Sequence, residues 1–209
     1  AEAFTRAIAA ALRSNPDRIM IGEIRDSSSA KLAFEAAMTG HQVWTTLHSN
    51  DAITIPFRLR DLHVEEYKLI DPTLLTGLIS QRLVRKLCTH CRRPVIGADD
   101  IPHGTMARLE EAGITINSIR IHNPKGCDKC LGTGYSGRTV TAEIIMPDTG
   151  FMDLVRKDKK DEAYRYWLTE LNGRTMVEYG LDLVLKGIVS PLDAERVLGY
   201  LVRPNREAL

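Results

Sequence analysis

Four cysteines in two C-x-x-C pairs, Cys88-Thr-His-Cys91 and Cys127-Asp-Lys-Cys130, constrain this chain more than any other feature. Each pair brings two sulfurs to one tight turn, and thirty-five residues separate the pairs, so the fold must make two distant turns converge. Four thiolates form a closed tetrahedral site, and Zn²⁺ is the ion that most often fills one. With four protein ligands no position is open to a substrate, so the spacing points to a structural staple. Two redox C-x-x-C motifs, or disulfides in a secreted protein, are the alternatives open at this level. Arg92-Arg93-Pro94 follows the first pair and Leu131-Gly132-Thr133-Gly134 the second, placing positive charge and turn-forming glycines beside the sulfurs.

The remaining composition serves mainly to exclude. A chain of 209 residues can bury one substantial core with room for a smaller appended unit. A formal net charge of +1 argues against a dominant nucleic-acid surface. No stretch approaches the length of a membrane span, and the N-terminus has neither a basic lead nor an apolar signal core. The expected compartment is a reducing cytoplasm. A start at Ala1-Glu2 without methionine is read as a trimmed part of a longer protein.

The first half has the pattern of an α/β sheet. Phe4, Ile8 and Leu12 predict a helix over Phe4–Arg13, ended by Asn15-Pro16-Asp17. Arg18–Asp26 is a short apolar strand that delivers acids at its C-terminal end. Ser27 is expected to open a helix with Ala30, Ala33, Phe34 and Ala37 on its buried stripe, closed by Thr39-Gly40. A second strand, Gln42–Leu47, delivers His48-Ser49-Asn50-Asp51. Acids and histidines above strand ends are where α/β sheets place their sites. Glu23 is suited to holding Mg²⁺ through water beside a phosphate chain; equally it can pair with Arg25 or cap a helix. His41 and His48 are expected at one edge, able to donate to phosphate oxygens or orient an acid, with plain structural roles as the alternative. His63, His90, His103 and His122 take the structural reading. No G-x-x-x-x-G-K-[ST] loop occurs in these residues, so the usual cradle for phosphates is missing from them.

In the second half, helices are expected over Ala52–Leu62, Tyr67–Ile70 and Pro72–Gln81, the last capped by Asp71. Arg82, Arg85, Lys86, Arg92 and Arg93 form the concentrated basic run. Residues 94–126 are an insertion with one short helix around Met106 and Leu109, then a β-prone stretch of isoleucines. Thr139–Met146 reads as a strand. Helices follow at Phe151–Arg156, Glu162–Leu171 and Met176–Leu185, and Ser190-Pro191-Leu192-Asp193 is a helix start. Arg203–Leu209 is expected to fray.

These residues carry a family likeness. Met20-Ile21-Gly22-Glu23-Ile24-Arg25-Asp26 resembles the modified Walker B motif of the GspE/PulE-like secretion ATPases, the motors of type II secretion and type IV pilus assembly. The segment from Thr39 to Ala52 resembles their His box, Gln81–Cys88 their run into the zinc motif, and Gly132–Thr139 with Glu143-Ile144 the return from it. Gln42 and Trp44 stand where the family usually has small or aliphatic residues. The resemblance implies a RecA-like P-loop NTPase core lacking its Walker A region, with a tetracysteine zinc-binding insertion and C-terminal helices. It divides the chain into 1–87 (core), 88–138 (zinc-binding insertion) and 139–209 (returning strand and helices).

Carried over by position, Glu23 is the Walker B acid at a Mg²⁺–ATP site, with Arg25 and Asp26 supporting it. His41 and His48 are the His-box histidines, and Cys88, Cys91, Cys127 and Cys130 are the Zn²⁺ ligands. The implied whole is a homo-hexamer on the cytoplasmic face of the bacterial inner membrane, converting ATP hydrolysis into motion of a membrane platform protein. The tetracysteine element favours pilus assembly or secretion over pilus retraction. Nucleic acid is not an expected partner. The alternative function is a zinc-stapled, non-catalytic module that binds the platform protein.

Overall fold

The computed structural model describes residues 6, 7, 10, 14 and 16–206; the apolar positions Phe4, Ile8 and Leu12 of the first expected helix lie outside them. The elements run β1 (Arg18–Ile21), α1 (Ser27–Met38), β2 (Gln42–Thr45), α2 (Ile55–Asp61), α3 (Glu66–Leu69) and β3 (Leu78–Leu87). Then come β4 (Arg93–Pro94), α4 (His103–Glu111), β5 (Arg120–Ile121), β6 (Tyr135–Ile145), α5 (Thr149–Arg156), α6 (Lys160–Thr169), α7 (Met176–Leu185) and α8 (Pro191–Leu198). They pack as two compact units that do not follow chain order. Unit 1 comprises Ala1–Ser80 and Ile144–Gly173, and unit 2 comprises Gln81–Glu143 and Arg174–Leu209.

In unit 1, β1 and β2 pair in parallel with Ile19 opposite Val43 and Met20 opposite Trp44. Parallel neighbours need a crossover, and α1 supplies it. Its cap is Asp26 rather than Ser27: the Asp26 carboxylate accepts the Ser29 N–H, and Ser29 returns the bond to complete a capping box. Ala30, Ala33, Phe34 and Ala36 of α1 are buried against Ile19, Ile21, Leu59 and Leu69. A second core in this unit joins Leu78, Ile145, Phe151, Val155 and Trp167. Trp167 can be buried because its indole N–H donates to the Ile144 carbonyl at 3.0 Å.

The expected helix over Pro72–Gln81 is absent. Asp71 caps only a turn, accepting from the Thr73 amide and hydroxyl at 2.8 and 2.6 Å, and the chain is extended from Leu78. Gly77 weakens helix continuation, while burial of Leu78, Ser80 and Val84 follows the two-residue period of a strand. β3 pairs with β6. Thr141 Oγ1 donates to the Arg82 carbonyl and Ser136 Oγ to the Leu87 carbonyl, contacts in opposite order along the two strands, which sets them antiparallel.

In unit 2 the two ends of the insertion meet where β4 and β5 pair antiparallel, Arg93 opposite Ile121. The isoleucine stretch is a short 3₁₀ turn over Ile116–Ser118 followed by β5 rather than one strand. Ile101, Leu109, Ile114, Ile119 and Ile121 share one core with Leu181 and Val184 of α7 and with Leu201 beyond α8. α7 has the predicted bounds and α8 the predicted start, capped by Thr175 and Ser190, with Pro191 in the first turn of α8. Among the described residues no helix is long and apolar enough to cross a membrane.

Candidate functional site

Glu23 lies just beyond the C-terminal end of β1, and its backbone neighbours are fixed on both sides. The Ile24 amide donates to the Thr46 carbonyl at 2.9 Å, and the Thr46 hydroxyl donates to the Gly22 carbonyl at 2.5 Å. The carboxylate is held from both sides as well. Oε1 is 2.8 Å from His48 Nε2, and Oε2 accepts from Arg25 Nε at 2.6 Å. Glu23 is 19% exposed at its side chain, whereas His48 is 92% and Arg25 78% exposed. The acid is therefore set into the protein while its partners face solvent. The three line an open cleft of about 280 Å³ together with Ile24, Leu47 and Arg58.

The helical period of Ala52–Leu62 points Arg58 away from the buried face of Leu59 and Leu62; the structure puts it on the cleft wall. Thr54 donates its amide to Asp51 Oδ1 at 2.8 Å, which starts α2 immediately after the His48 segment and carries Arg58 to the cleft one turn later. No ion-pair partner faces its guanidinium among the described residues. The Asp51 turn just ahead of a helix, with an arginine one turn into it, was the available signal. Asp26 has its carboxylate committed to capping α1, which draws its pKa below the usual range, first through the Ser29 amide and then the Ser29 hydroxyl.

His41 and His48 do not share an edge. His41 precedes β2 and His48 follows it, so the strand separates them. His41 Nδ1 is 3.0 Å from both the Ala36 carbonyl and the Thr39 hydroxyl, which ties it to the C-terminal end of α1.

The four cysteines converge in unit 2. Their sulfurs all lie within 4.8 Å of one another. Cys88 and Cys127 sulfurs are 3.9 Å apart, Cys91 and Cys130 3.8 Å, and Cys127 and Cys130 3.8 Å. Sulfurs about 2.3 Å from a tetrahedral zinc ion define edges of about 3.8 Å, so the cluster fits such an ion. The second pair is a 3₁₀ turn over Asp128–Cys130. Amides of Cys127 and Gly134 both point at Cys130 Sγ, each at 3.2 Å. Burial alone would raise the Cys130 thiol, but these two N–H groups outweigh it and lower its pKa. Burial, then hydrogen bonds with the neighbouring sulfurs, raises Cys91. Gly134 has φ +72°, and a Cβ there would lie 2.5 Å from the Asn123 carbonyl oxygen, so only glycine lets the chain leave the knuckle at this angle. The arginines after the first pair do not serve the sulfurs: Arg93 binds Asp100, and Arg92 donates to the Gly187 carbonyl at 2.6 Å.

Residues 2–199 match the protein family described as "Type II/IV secretion system protein". The chain is 38% identical over 187 residues to the type IV pilus assembly ATPase PilB of Thermus thermophilus, across 90% of this chain and 20% of that protein. It is 41% identical over 194 residues to the type II secretion system protein E of Klebsiella pneumoniae, across 93% of this chain and 37% of that one. Its α/β fold resembles that of the crystal structure of the pilus retraction motor PilT with bound ADP. The TM-score is 0.59 at 27% identity, covering 99% of this chain and 45% of that one. The chain thus spans less than half the length of each of these relatives.

Proposed function

The chain belongs to the type II/IV secretion system protein family, and from that premise we propose that it carries part of the nucleotide site and the metal staple of an ATP-driven motor subunit for type IV pilus assembly or type II secretion. The observation that supports this most is Glu23. A recessed carboxylate beyond the end of a parallel strand, between His48 and Arg25 and facing an open cleft with Arg58, suits a site for a metal-bound polyphosphate. Glu23 would hold Mg²⁺ through water, and the ion would neutralise charge on the phosphoryl group being transferred. Arg25 and His48 orient the carboxylate, and Arg58, without an ion-pair partner among the described residues, offers a cation to phosphate oxygens. Asp26 supports the edge through α1. His41 is assigned the same kind of role, holding the end of α1 beside the start of β2.

Cys88, Cys91, Cys127 and Cys130 are assigned as Zn²⁺ ligands. The assembled motor is proposed to be a homo-hexamer on the cytoplasmic side of the inner membrane, acting on a membrane platform protein. Turnover is proposed for the full-length protein, in which a phosphate-binding loop accompanies these residues.

The test is ATP turnover by the full-length protein with Glu23→Gln. Turnover should fall by about 100-fold or more while nucleotide binding persists; a variant with normal turnover would remove Glu23 from the site. A full-length wild-type protein that retains zinc but never hydrolyses ATP would favour the non-catalytic module that binds the platform protein.

A further inference from the structure

We propose that the tetracysteine knuckle is a clamp on the turn between α7 and α8, so that metal occupancy fixes the N-terminal end of α8. The proposal rests on the metal reading above and concerns residues that touch no metal.

The first cysteine arm grips two consecutive carbonyls of that turn. Leu87, immediately before Cys88, donates its amide to the Ile188 carbonyl at 2.8 Å. Arg92, immediately after Cys91, donates Nη1 to the Gly187 carbonyl at 2.6 Å. Gly187 has φ +63°, and a Cβ there would lie 2.8 Å from Arg120 Cγ, so the turn is pressed against the insertion as well.

The second arm reaches α8 through side chains. Gly134 donates its amide to Cys130 Sγ at 3.2 Å, and its carbonyl accepts the Cys88 amide at 2.9 Å. Tyr135 comes next, with the Arg85 guanidinium 4.0 Å over its ring. Arg85 Nε donates to Asp193 Oδ1 at 3.1 Å. Asp193 is 4% exposed and lies in the first turn of α8, its amide facing the Ser190 hydroxyl at 3.4 Å. Both arms therefore end on residues 187–193, and the sulfurs join the arms at their other end. An ion that draws four thiolates together closes the clamp; four sulfurs without one must share protons or separate.

Native-state hydrogen exchange on the full-length protein tests this, with metal content measured on the same samples before and after chelation. The amides to follow are Leu87, Asp193 and Ala194, with α1 amides as the internal control. Metal removal should speed exchange at the three by about tenfold or more and leave α1 unchanged. Unchanged exchange at the three with the metal gone overturns the clamp, and so does equal acceleration throughout both units, which would make the metal a general staple. Arg92→Ala keeps every cysteine; it should retain the metal and still speed exchange at Leu87 and Ala194, and no change there overturns the proposal. A wild-type protein that neither contains nor takes up zinc defeats the metal reading and the clamp together. Metal present with an indifferent turn defeats the clamp alone.

Discussion

Met20 and Trp44 stand side by side on the outer face of the parallel pair in unit 1, 68% and 53% exposed. Unit 2 also exposes apolar side chains, among them Leu83, Ile96 and Leu131, but it draws carboxylates inward: Asp193, Glu178 and Glu195 each meet an arginine. Parallel sheets are ordinarily covered on both faces. Unit 1 therefore keeps an apolar surface that another layer can cover, while unit 2 completes its core from the insertion and the C-terminal helices. The proposed chemistry lies on the unit with the open sheet and the proposed staple in the other. An open sheet end admits a ligand, whereas a small insertion gains order from a cross-link.

The sharpest way to break this contrast is to damage the best-packed part of the open unit. Trp167→Ala in α6 should cost about 3–5 kcal/mol, measured by denaturant unfolding, because Trp167 is 1% exposed and a Cβ on Gly173 would already lie 2.4 Å from its ring. A loss under about 1 kcal/mol would mean unit 1 relies far less on its own core than its packing implies.

The counterpart in unit 2 is Glu195, which accepts from Arg108 Nε at 2.7 Å and from the Thr105 hydroxyl at 2.7 Å. Glu195→Ala should cost about 2–3 kcal/mol by leaving that arginine unpaired. The same site gives a pH dependence. Burial opposes ionisation of Glu195, but Arg108 and Thr105 outweigh it and lower the folded-state pKa; Glu178 is lowered likewise, against burial, by the Thr175 amide and Arg206. A carboxylate lowered on folding stabilises above its unfolded pKa of about 4.3 and loses that contribution as pH falls through the folded value. Exchange protection in α7 and α8 should therefore drop from about pH 4 downward. Protection in both helices that stays unchanged down to about pH 2 would remove these carboxylates from the account.

Smaller effects sharpen it. Asp26→Ala removes the side-chain half of a capping box and should cost about 1 kcal/mol, read from exchange in α1. Smallest of all, Trp44→Gln should change the stability of this chain by less than about 0.5 kcal/mol, yet in the full-length protein it should cost more. Equal, small effects in both would show that nothing covers this face.

Where the sequence and the structure agree, one local signal sufficed. Ser190-Pro191 started α8 unambiguously because a side-chain cap and a fixed φ act within one turn. The cysteine spacing named a cluster whose sulfurs do converge. The segment after Pro72 misled because its cap was real and its continuation was not: Asp71 does bind Thr73, but Gly77 and the alternating burial of β3 decide the rest. His41 was misplaced because chain proximity to a strand does not say which end of it a residue occupies. Arg58 was missed because a helix periodicity cannot tell solvent from cleft; only the fold of the His48 segment distinguishes them.

Each unit is assembled from two stretches of chain, with unit 2 beginning at Gln81 before unit 1 has ended and resuming after Gly173. On a ribosome this imposes an order. The Glu23 segment emerges early but must wait for Phe151 and Trp167 before its unit can close, and the cysteines emerge meanwhile. All four cysteines can thus be in place before either unit is finished, and no single cut in the chain releases one unit whole.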